Sequence, residues 1–519
     1  MSRLEIASPK RAKIVMEGLY KDLERRIESS PPGLCPVDMA RAFLELCHAQ
    51  TCGKCVPCRI GLGQLNNFIR EVLDGKATMK TLDIMEQTAL SIMESADCAI
   101  GYEAANMVYK GLIGYRDDYI EHIQNGRCTC TYNQPVPCVS LCPAHVDIPG
   151  YIALVGEGRY ADAIRLLRKD NPFPTTCGFI CEHPCEARCR RNMVDDSINI
   201  RGLKRVAADF AGEVDPPQCA PSTGKKIAIL GGGPGGLSAA YYLQLMGHQT
   251  TVYEMLPELG GMLRYGIPNY RLPKERLDDD IRAILKTGVQ VKNGLKIGQD
   301  ITIQELRQQY DVVLITIGAS TDKKLGLENE DADGIISAVQ FLRNVGKNQI
   351  IDLTGKEVVV IGGGNVSMDA VRTAKRLGAK KVSIVYRRRV ADMTALPGEI
   401  EGAVAEGIEL QTLKAPASID VDENHHVKGI YVTPQMVSSI RDGRASIKPT
   451  GEEDIYIPCD VLIVAIGQNI ETHHFEQAGI PVERGKIITK STGAFENLPG
   501  VFAGGDCASG PASVIKAIA

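Results

Sequence analysis

The stretch KKIAILGGGPGGLSAAYYLQLMGHQTTVYE, Lys225–Glu254, limits what this chain can fold into more than any other. An apolar run suited to a buried strand breaks into Gly231, Gly232, Gly233, Pro234, Gly235 and Gly236. It re-forms as a helical pattern and then returns as a second apolar run that ends on an acid. Gly231, Gly233 and Gly236 fit the G-x-G-x-x-G spacing in the order strand, turn, helix. The first glycine permits the tight turn, the second lets backbone N–H groups approach a pyrophosphate, and the third allows close helix–strand packing. The helix N-terminus then faces the anion. Glu254, eighteen residues beyond Gly236, is placed to accept from a ribose hydroxyl. A glycine-rich loop without a ligand is the bland alternative. Strand, triplet, helix, strand and terminal acid together favour a dinucleotide site.

A second unit lies downstream. EVVVIGGGNVSMDAVRTAKRLG gives a strand, then Gly362, Gly364, Asn365 and Val366, with Ser367 where a third glycine or alanine is usual. Its second strand, KVSIVYRRR, ends on Tyr386 followed by Arg387, Arg388 and Arg389. A carboxylate there would repel a 2′-phosphate, whereas guanidinium groups bind it in forked geometry. That favours NADP(H) over NAD(H), with a solvated basic loop as the alternative. Two further apolar strands, YDVVLITIGAS ending at Gly318 and CDVLIVAIGQNIE running past Gly467, return the chain toward the first unit.

The length of 519 residues implies three or four domains. A net charge of −4 leaves no nucleic-acid or anionic-membrane footprint. No apolar run reaches signal-peptide or membrane-spanning length, so the expectation is a soluble cytosolic protein without membrane insertion. In a reducing compartment 17 cysteines point to metal or redox chemistry, and all but Cys219, Cys459 and Cys507 precede residue 190. TCGKCVPCR places Cys52, Cys55 and Cys58 at C-x-x-C-x-x-C; Leu62, Leu65, Phe68, Ile69 and Val72 follow as an amphipathic helix, and a further helix runs through Met85–Met93. Cys98 comes next. Three thiolates in one loop plus a distant fourth is a frequent way to hold a [4Fe–4S] cube. Zinc, the alternative, prefers two separated pairs. Cys128, Cys130, Cys138 and Cys142 then fall within fifteen residues, and Cys177, Cys181, Cys185 and Cys189 recur every fourth residue. Pro184 argues for turns there rather than one helix. Eight cysteines suffice for two cubes.

The front motif, over about Asp38–Tyr115, resembles the cluster-bearing helical domain of the NADH-binding flavoprotein subunit of respiratory complex I and its hydrogenase relatives. No FMN- and NADH-binding domain precedes it in this sequence, so the resemblance implies an electron port rather than an NADH site. CVSLCPAHVDIPGYI, NPFPTTCGFICEHPCEARCRR and INIRGLKRVAADF resemble the N-terminal domain of the glutamate synthase small subunit family. That domain is shared with dihydropyrimidine dehydrogenase and NADH-dependent ferredoxin:NADP⁺ oxidoreductase. The resemblance assigns Cys128, Cys130, Cys138 and Cys189 to one cube, and Cys142, Cys181 and Cys185 plus a non-cysteine ligand to the other. Two departures stand out: Cys128 and Cys130 are one residue apart, and Lys204 takes the place of Gln or Glu. A protonated lysine has no lone pair, so Cys177 or solvent remains open as the fourth ligand. His145 is expected to be ordinary packing or surface.

In the same family ELGGMLRYGIPNYRLPK lines an FAD site, which implies that role for Glu254, Gly260, Gly261, Leu263, Gly266, Arg271 and Leu272. In GVFAGGDCASG the resemblance sends Asp506 to the flavin ribityl chain; a helix N-cap is the plainer reading, and both could hold at once. Thioredoxin reductases share the two-dinucleotide arrangement but need a C-x-x-C near the flavin, and none follows Cys189. At SVIKAIA the family pattern continues a helix, so either the sequence stops short of it or a final helix is missing.

The expected fold is therefore α/β, with two Rossmann-like domains preceded by two mainly α-helical iron–sulfur domains. The boundaries read as 1–126, 127–220, 221–335 with 466–519 for FAD, and 336–465 for NADP(H). The expected activity is that of an NADP(H)-dependent FAD and iron–sulfur oxidoreductase subunit with three [4Fe–4S] clusters. Hydride transfer is the cofactors' chemistry, so no catalytic side chain is assigned. A complex I-like NADH-oxidising flavoprotein or a ferredoxin-like subunit is the expected partner in a hetero-oligomer, with electron bifurcation left open. The rivals are a glutamate synthase small subunit and a non-catalytic cluster scaffold.

Overall fold

The computed structural model describes residues 15–21, 35–126, 136–349, 351–441 and 444–519. They divide into two units: Met1–Ile148 with His183–Ile200, and Pro149–Glu182 with Arg201–Ala519. No described helix is long and apolar enough to cross a membrane.

The first unit is helical, with α1 (Pro36–Ala49), α2 (Leu62–Leu73), α3 (Met79–Ser95), α4 (Ala99–Gly114) and α5 (Arg116–Asn125) around one core. Leu62, Leu65, Ile69 and Val72 lie on one face of α2 and are fully buried. Truncating any one of them to alanine costs about 2–5 kcal/mol by the usual core scale. Helix α3 contains the expected Met85–Met93 stretch and begins at Met79, where the Thr81 hydroxyl accepts the Thr78 N–H at 3.0 Å and closes the first turn. The end of α4 meets the second cysteine segment of the same unit. A Cβ on Gly114 would stand 2.6 Å from the Ala187 carbonyl oxygen. Beside it the Tyr115 hydroxyl donates to Arg188 O at 3.1 Å and Lys110 Nζ to Asp195 O at 2.8 Å.

The second unit is built on two parallel sheets. One contains β1 (Lys226–Leu230), β2 (Gln249–Glu254), β3 (Gln290–Asn293), β4 (Val312–Ile315) and, last in sequence, β14 (Val501–Ala503), in the order β14-β4-β1-β2-β3. The other contains β5 (Ile335–Ser337), β6 (Glu357–Ile361), β7 (Lys381–Tyr386), β8 (Glu409–Thr412) and β13 (Val461–Val464), in the order β5-β13-β6-β7-β8. Their central strands are buried on both faces, as parallel strands covered by helices must be. An antiparallel sheet of β9 (Lys414–Val421), β10 (Val427–Arg441), β11 (Arg444–Pro449) and β12 (Ile455–Pro458) interrupts the second fold before β13. The fold class is the expected α/β with two Rossmann-like sheets. The strand through Val461–Val464 belongs to the second sheet, between β5 and β6, before the chain returns to the first at β14.

Helices α6 (Pro174–Ile180), α7 (Pro234–Leu245), α8 (Lys274–Leu285), α9 (Asn365–Arg376) and α10 (Pro397–Ala405) complete the elements that matter below. Helix α6 stops at Cys181, and the chain turns before a new short helix at Pro184–Ala187, so the fourfold cysteine spacing is broken by turns as Pro184 requires.

Candidate functional site

Strand β1 delivers the chain into the glycine loop with Gly231 at φ 111, where a Cβ would lie 2.5 Å from Thr316 O. Gly233 is the N-cap of α7, and a Cβ on Gly236 would lie 2.0 Å from Gly231 O. The third glycine thus packs the helix onto the strand, as its spacing predicts. Glu254 is buried, and its two oxygens accept the N–H groups of Gly232 and Leu256, each at 2.8 Å. Burial raises this carboxyl above its ordinary range against the pull of those N–H groups. The residue expected to meet a ribose therefore also holds the phosphate loop in shape.

Gly231, Gly233, Glu254, Gly261, Gly318 and Asp506 line one cavity, and Gly231 and Glu254 also line a neighbouring one with Lys296 and His474. Gly260 and Leu263 support the cavity from behind. A Cβ on Gly260 would crowd Leu277 and Arg264, and Leu263 is buried. Asp506 follows Gly505, which is the N-cap of the short helix Asp506–Ser509, and the aspartate makes no capping bond. Its Oδ1 is buried without a hydrogen-bond partner, and burial raises its carboxyl. A buried acceptor left open in a cavity fits a hydroxyl-bearing ligand such as a ribityl chain.

Arg271 takes a different position from its neighbours in the motif. Its Nη1 donates to both oxygens of Asp369 on α9 at 2.9 and 2.8 Å, and its Nη2 lies 3.1 Å from Glu399 on α10. Tyr270 lies under Arg376, whose guanidinium carbon is 3.9 Å from the ring centre. These contacts join the RLPK loop of the first fold to helices of the second.

In the second fold Gly362, at φ 145, would place a Cβ 2.3 Å from Ala465 O, and Gly364 is the N-cap of α9. Ser367, in the third-glycine position, is buried, with Val366 half-buried beside it. Asn365 opens the helix; its Oδ1 accepts Leu396 N–H and its Nδ2 donates to Glu182, both at 3.0 Å. Arg387 is exposed, and among the described residues it forms no ion pair. Arg388 donates Nε–H to Ala445 O at 3.0 Å. Gly467, at φ 133, lies beside Lys323.

Cys52, Cys55, Cys58 and Cys98 come together in the first unit. Burial pushes the Cys58 thiol up to about 12, reinforced by Cys55, Cys98 and Cys52. Burial also acts on Cys55, but the N–H groups of Cys58 and Asp97 outweigh it and lower that thiol. Cys58 sits in a π-helical turn, Pro57–Gly61, a distortion found often at functional sites. Among the described residues no three His, Cys, Asp or Glu side chains converge on a point as one metal ion requires. A [4Fe–4S] cube takes one thiolate at each of its four irons and suits cysteines set around a larger body.

Cys128 and Cys130 lie outside the described residues. Cys138, Cys142, Cys185 and Cys189 belong to the first unit. The Cys138 thiol is raised by burial first, then by Cys189 and Cys142 close by. Cys181 lies in the second unit, where it ends α6 and its carbonyl accepts from Arg201 at 3.2 Å. Cys177 is fully buried near Cys181 and Lys204. Burial pushes its thiol up to about 12, Cys181 adds to that, and Lys204 opposes it. Lys204 also lies 6.0 Å from the Tyr151 ring centre. His145 is exposed, at φ 49. Cys507 is buried.

Sequence reasoning missed Asp280, Glu182 and Asp392. Asp280 accepts the N–H groups of Thr175 and Thr176 at the start of α6, at 3.3 and 2.7 Å. Only Asp392, three residues after Arg389 in a short turn, carried a local signal.

Residues 225–519 match the pyridine nucleotide-disulphide oxidoreductase family. Residues 38–122 match the NADH-ubiquinone oxidoreductase-F iron–sulfur binding region, and residues 114–215 the 4Fe–4S domain II of dihydropyrimidine dehydrogenase. The beta subunit of NADP(+)-dependent formate dehydrogenase from Moorella thermoacetica is 32% identical over 551 residues, 92% of this chain and 77% of that protein. The NADPH-Fe(3+) oxidoreductase beta subunit of Geobacter sulfurreducens is 34% identical over 523 residues, 94% of this chain and 77% of that protein. The glutamate synthase [NADPH] small chain of Escherichia coli is 34% identical over 405 residues, 74% of this chain and 85% of that protein.

Proposed function

The chain belongs to the pyridine nucleotide-disulphide oxidoreductase family and is an NADP-dependent FAD and iron–sulfur oxidoreductase; we propose that it works as the NADP(H)-facing subunit of a soluble, cytoplasmic hetero-oligomer. It exchanges electrons there with a partner flavoprotein or ferredoxin-like subunit. The observation that carries this reading is the Asn365–Glu182 hydrogen bond. It ties the first residue of the NADP(H) helix to the residue next to Cys181.

Bound FAD supplies the conversion between hydride and single-electron transfer. The protein's part is binding and orientation. Glu254 fixes the glycine loop, the N-terminus of α7 faces a pyrophosphate, and Asp506 offers an acceptor to the ribityl hydroxyls. Arg387 and Arg388 receive the 2′-phosphate. Cys52, Cys55, Cys58 and Cys98 hold one cube. Cys128, Cys130, Cys138 and Cys189 hold a second, and Cys142, Cys181 and Cys185 a third.

The formate dehydrogenase and NADPH-Fe(3+) oxidoreductase relatives span the front iron–sulfur region, whereas the glutamate synthase small chain covers 74% of this chain. That favours a partner reached through the front cluster over a glutamate-forming one. Anaerobic iron, sulfide and flavin analysis tests the cofactor complement. About twelve irons and one FAD per chain are expected. About four irons, or zinc in their place, contradicts three cubes.

A further inference from the structure

The three arginines after β7 have different work. Arg389 Nε and Nη2 fork onto Asp392 Oδ2 and Oδ1 at 2.8 and 3.0 Å, and the Arg389 N–H reaches Oδ2 at 3.2 Å. The same carboxylate accepts Ala445 N–H at 2.9 Å, at the start of β11. Ala445 in turn accepts from Arg388 Nε through its carbonyl. Tyr386 completes the cluster. Its ring packs against Gly363 of the glycine loop, where a Cβ would lie 2.6 Å from it, and its hydroxyl donates to Asp392 O at 2.7 Å. The Asp392 side chain is wholly shielded from solvent. One residue thus fastens the arginine turn, the β10–β11 hairpin and the glycine loop to one another.

We infer that Asp392 is a positioning residue that sets the preference for a 2′-phosphorylated nucleotide. It withdraws Arg389 from the phosphate-binding set and holds Ala445 where its carbonyl occupies Arg388 Nε. The terminal nitrogens of Arg388, and the whole guanidinium of Arg387, keep no partner among the described residues. Those two side chains are left as the phosphate fork. Asp392 does not repel the phosphate, because Arg389 cancels its charge at hydrogen-bond distance. The inference rests on the NADP(H) reading and deepens it: a run of three arginines acts as two ligands and one counter-ion.

The test is calorimetric titration of the full, cofactor-loaded chain with 2′,5′-ADP and with ADP. In Asp392→Asn the affinity for 2′,5′-ADP falls about tenfold while that for ADP is kept, which also reports that the domain is folded. KM for NADPH rises with little change in kcat. Asp392→Glu, which keeps the charge, restores most of the preference. Arg389→Lys, which keeps the charge but loses the fork, falls between wild type and Asp392→Asn. Asp392→Asn binding both ligands as wild type does, or losing both equally, overturns the positioning role. A wild-type chain that binds the two ligands alike removes the NADP(H) reading itself, a result separable from the variant's.

Discussion

Gly101, in the first turn of α4, backs directly onto the Cys58 sulfur: a methyl group on its Cα would stand 2.6 Å from Sγ and 3.0 Å from the Ala96 Cβ. Real Cβ atoms do not approach that closely, and the sulfur has nowhere to retreat because Cys58 is buried in its π-turn. Cys98 lies three residues before Gly101, at the N-cap of α4. The same glycine therefore brings both ends of the front cysteine set together. Gly101→Ala is expected to remove the front cube alone, with about four irons lost per chain while FAD content is unchanged. Metal analysis alongside flavin absorbance reads this out, and a full iron complement in the variant refutes it.

Asp506 offers the clearest test of the flavin site. Its Oδ1 is buried without a partner and open to a donor from a bound ligand. Asp506→Ala should weaken FAD retention by about 1.5–3 kcal/mol, the value of a hydrogen bond to a charged group, or roughly ten- to 150-fold in Kd. Equilibrium dialysis of flavin against the variant measures it. Unchanged retention means the ribityl chain does not meet this residue.

Arg271 holds the two nucleotide folds together through Asp369, a buried carboxylate. Arg271→Met leaves that carboxylate without its closest cation. Removing one partner of a buried pair costs about 3–5 kcal/mol. Thermal unfolding should show a markedly lower transition. A double variant Arg271→Met with Asp369→Leu should recover most of the loss, because no lone charge remains.

Asp280 links stability to pH. It is fully buried, and burial pushes its carboxyl up to about 6 despite the N–H groups of Thr175 and Thr176. The folded state therefore holds a proton that the unfolded chain releases between about pH 4 and 6. Its contribution is present at the acid end and is lost as pH rises through that window. Relative to Asp280→Asn, the wild type should lose about 2 kcal/mol of stability between pH 4 and pH 7. Urea unfolding at the two pH values reads the difference, and a pH-independent gap contradicts it.

The glycine loops were legible in the sequence because a phosphate site imposes its needs locally. A tight turn, a bare Cα near the anion and a helix start all fall within six residues, Gly231 to Gly236. The broken spacing of Cys177 to Cys189 was legible for a similar reason, since Pro184 forbids a continuous helix. Contacts across the chain were not. Arg271 meets Asp369 98 residues away, and Asn365 meets Glu182 183 residues away. No periodicity records such pairs. Arg271 matched a flavin-lining motif, yet its charge is spent on Asp369 and Glu399. The antiparallel β9–β12 sheet also went unread. Along Val427–Val432 inward and outward residues alternate only in part, and Gly429 and Ile430 are buried consecutively.

Nucleotide and cysteine-held sites are proposed to serve one electron exchange. The most direct measurement is anaerobic electron transfer from NADPH to a one-electron viologen dye by the purified, iron- and FAD-replete chain. Dye reduction is expected, and should disappear when Cys181→Ser is introduced while NADPH still bleaches the flavin. A replete chain that binds NADPH and leaves every one-electron dye oxidised contradicts the account.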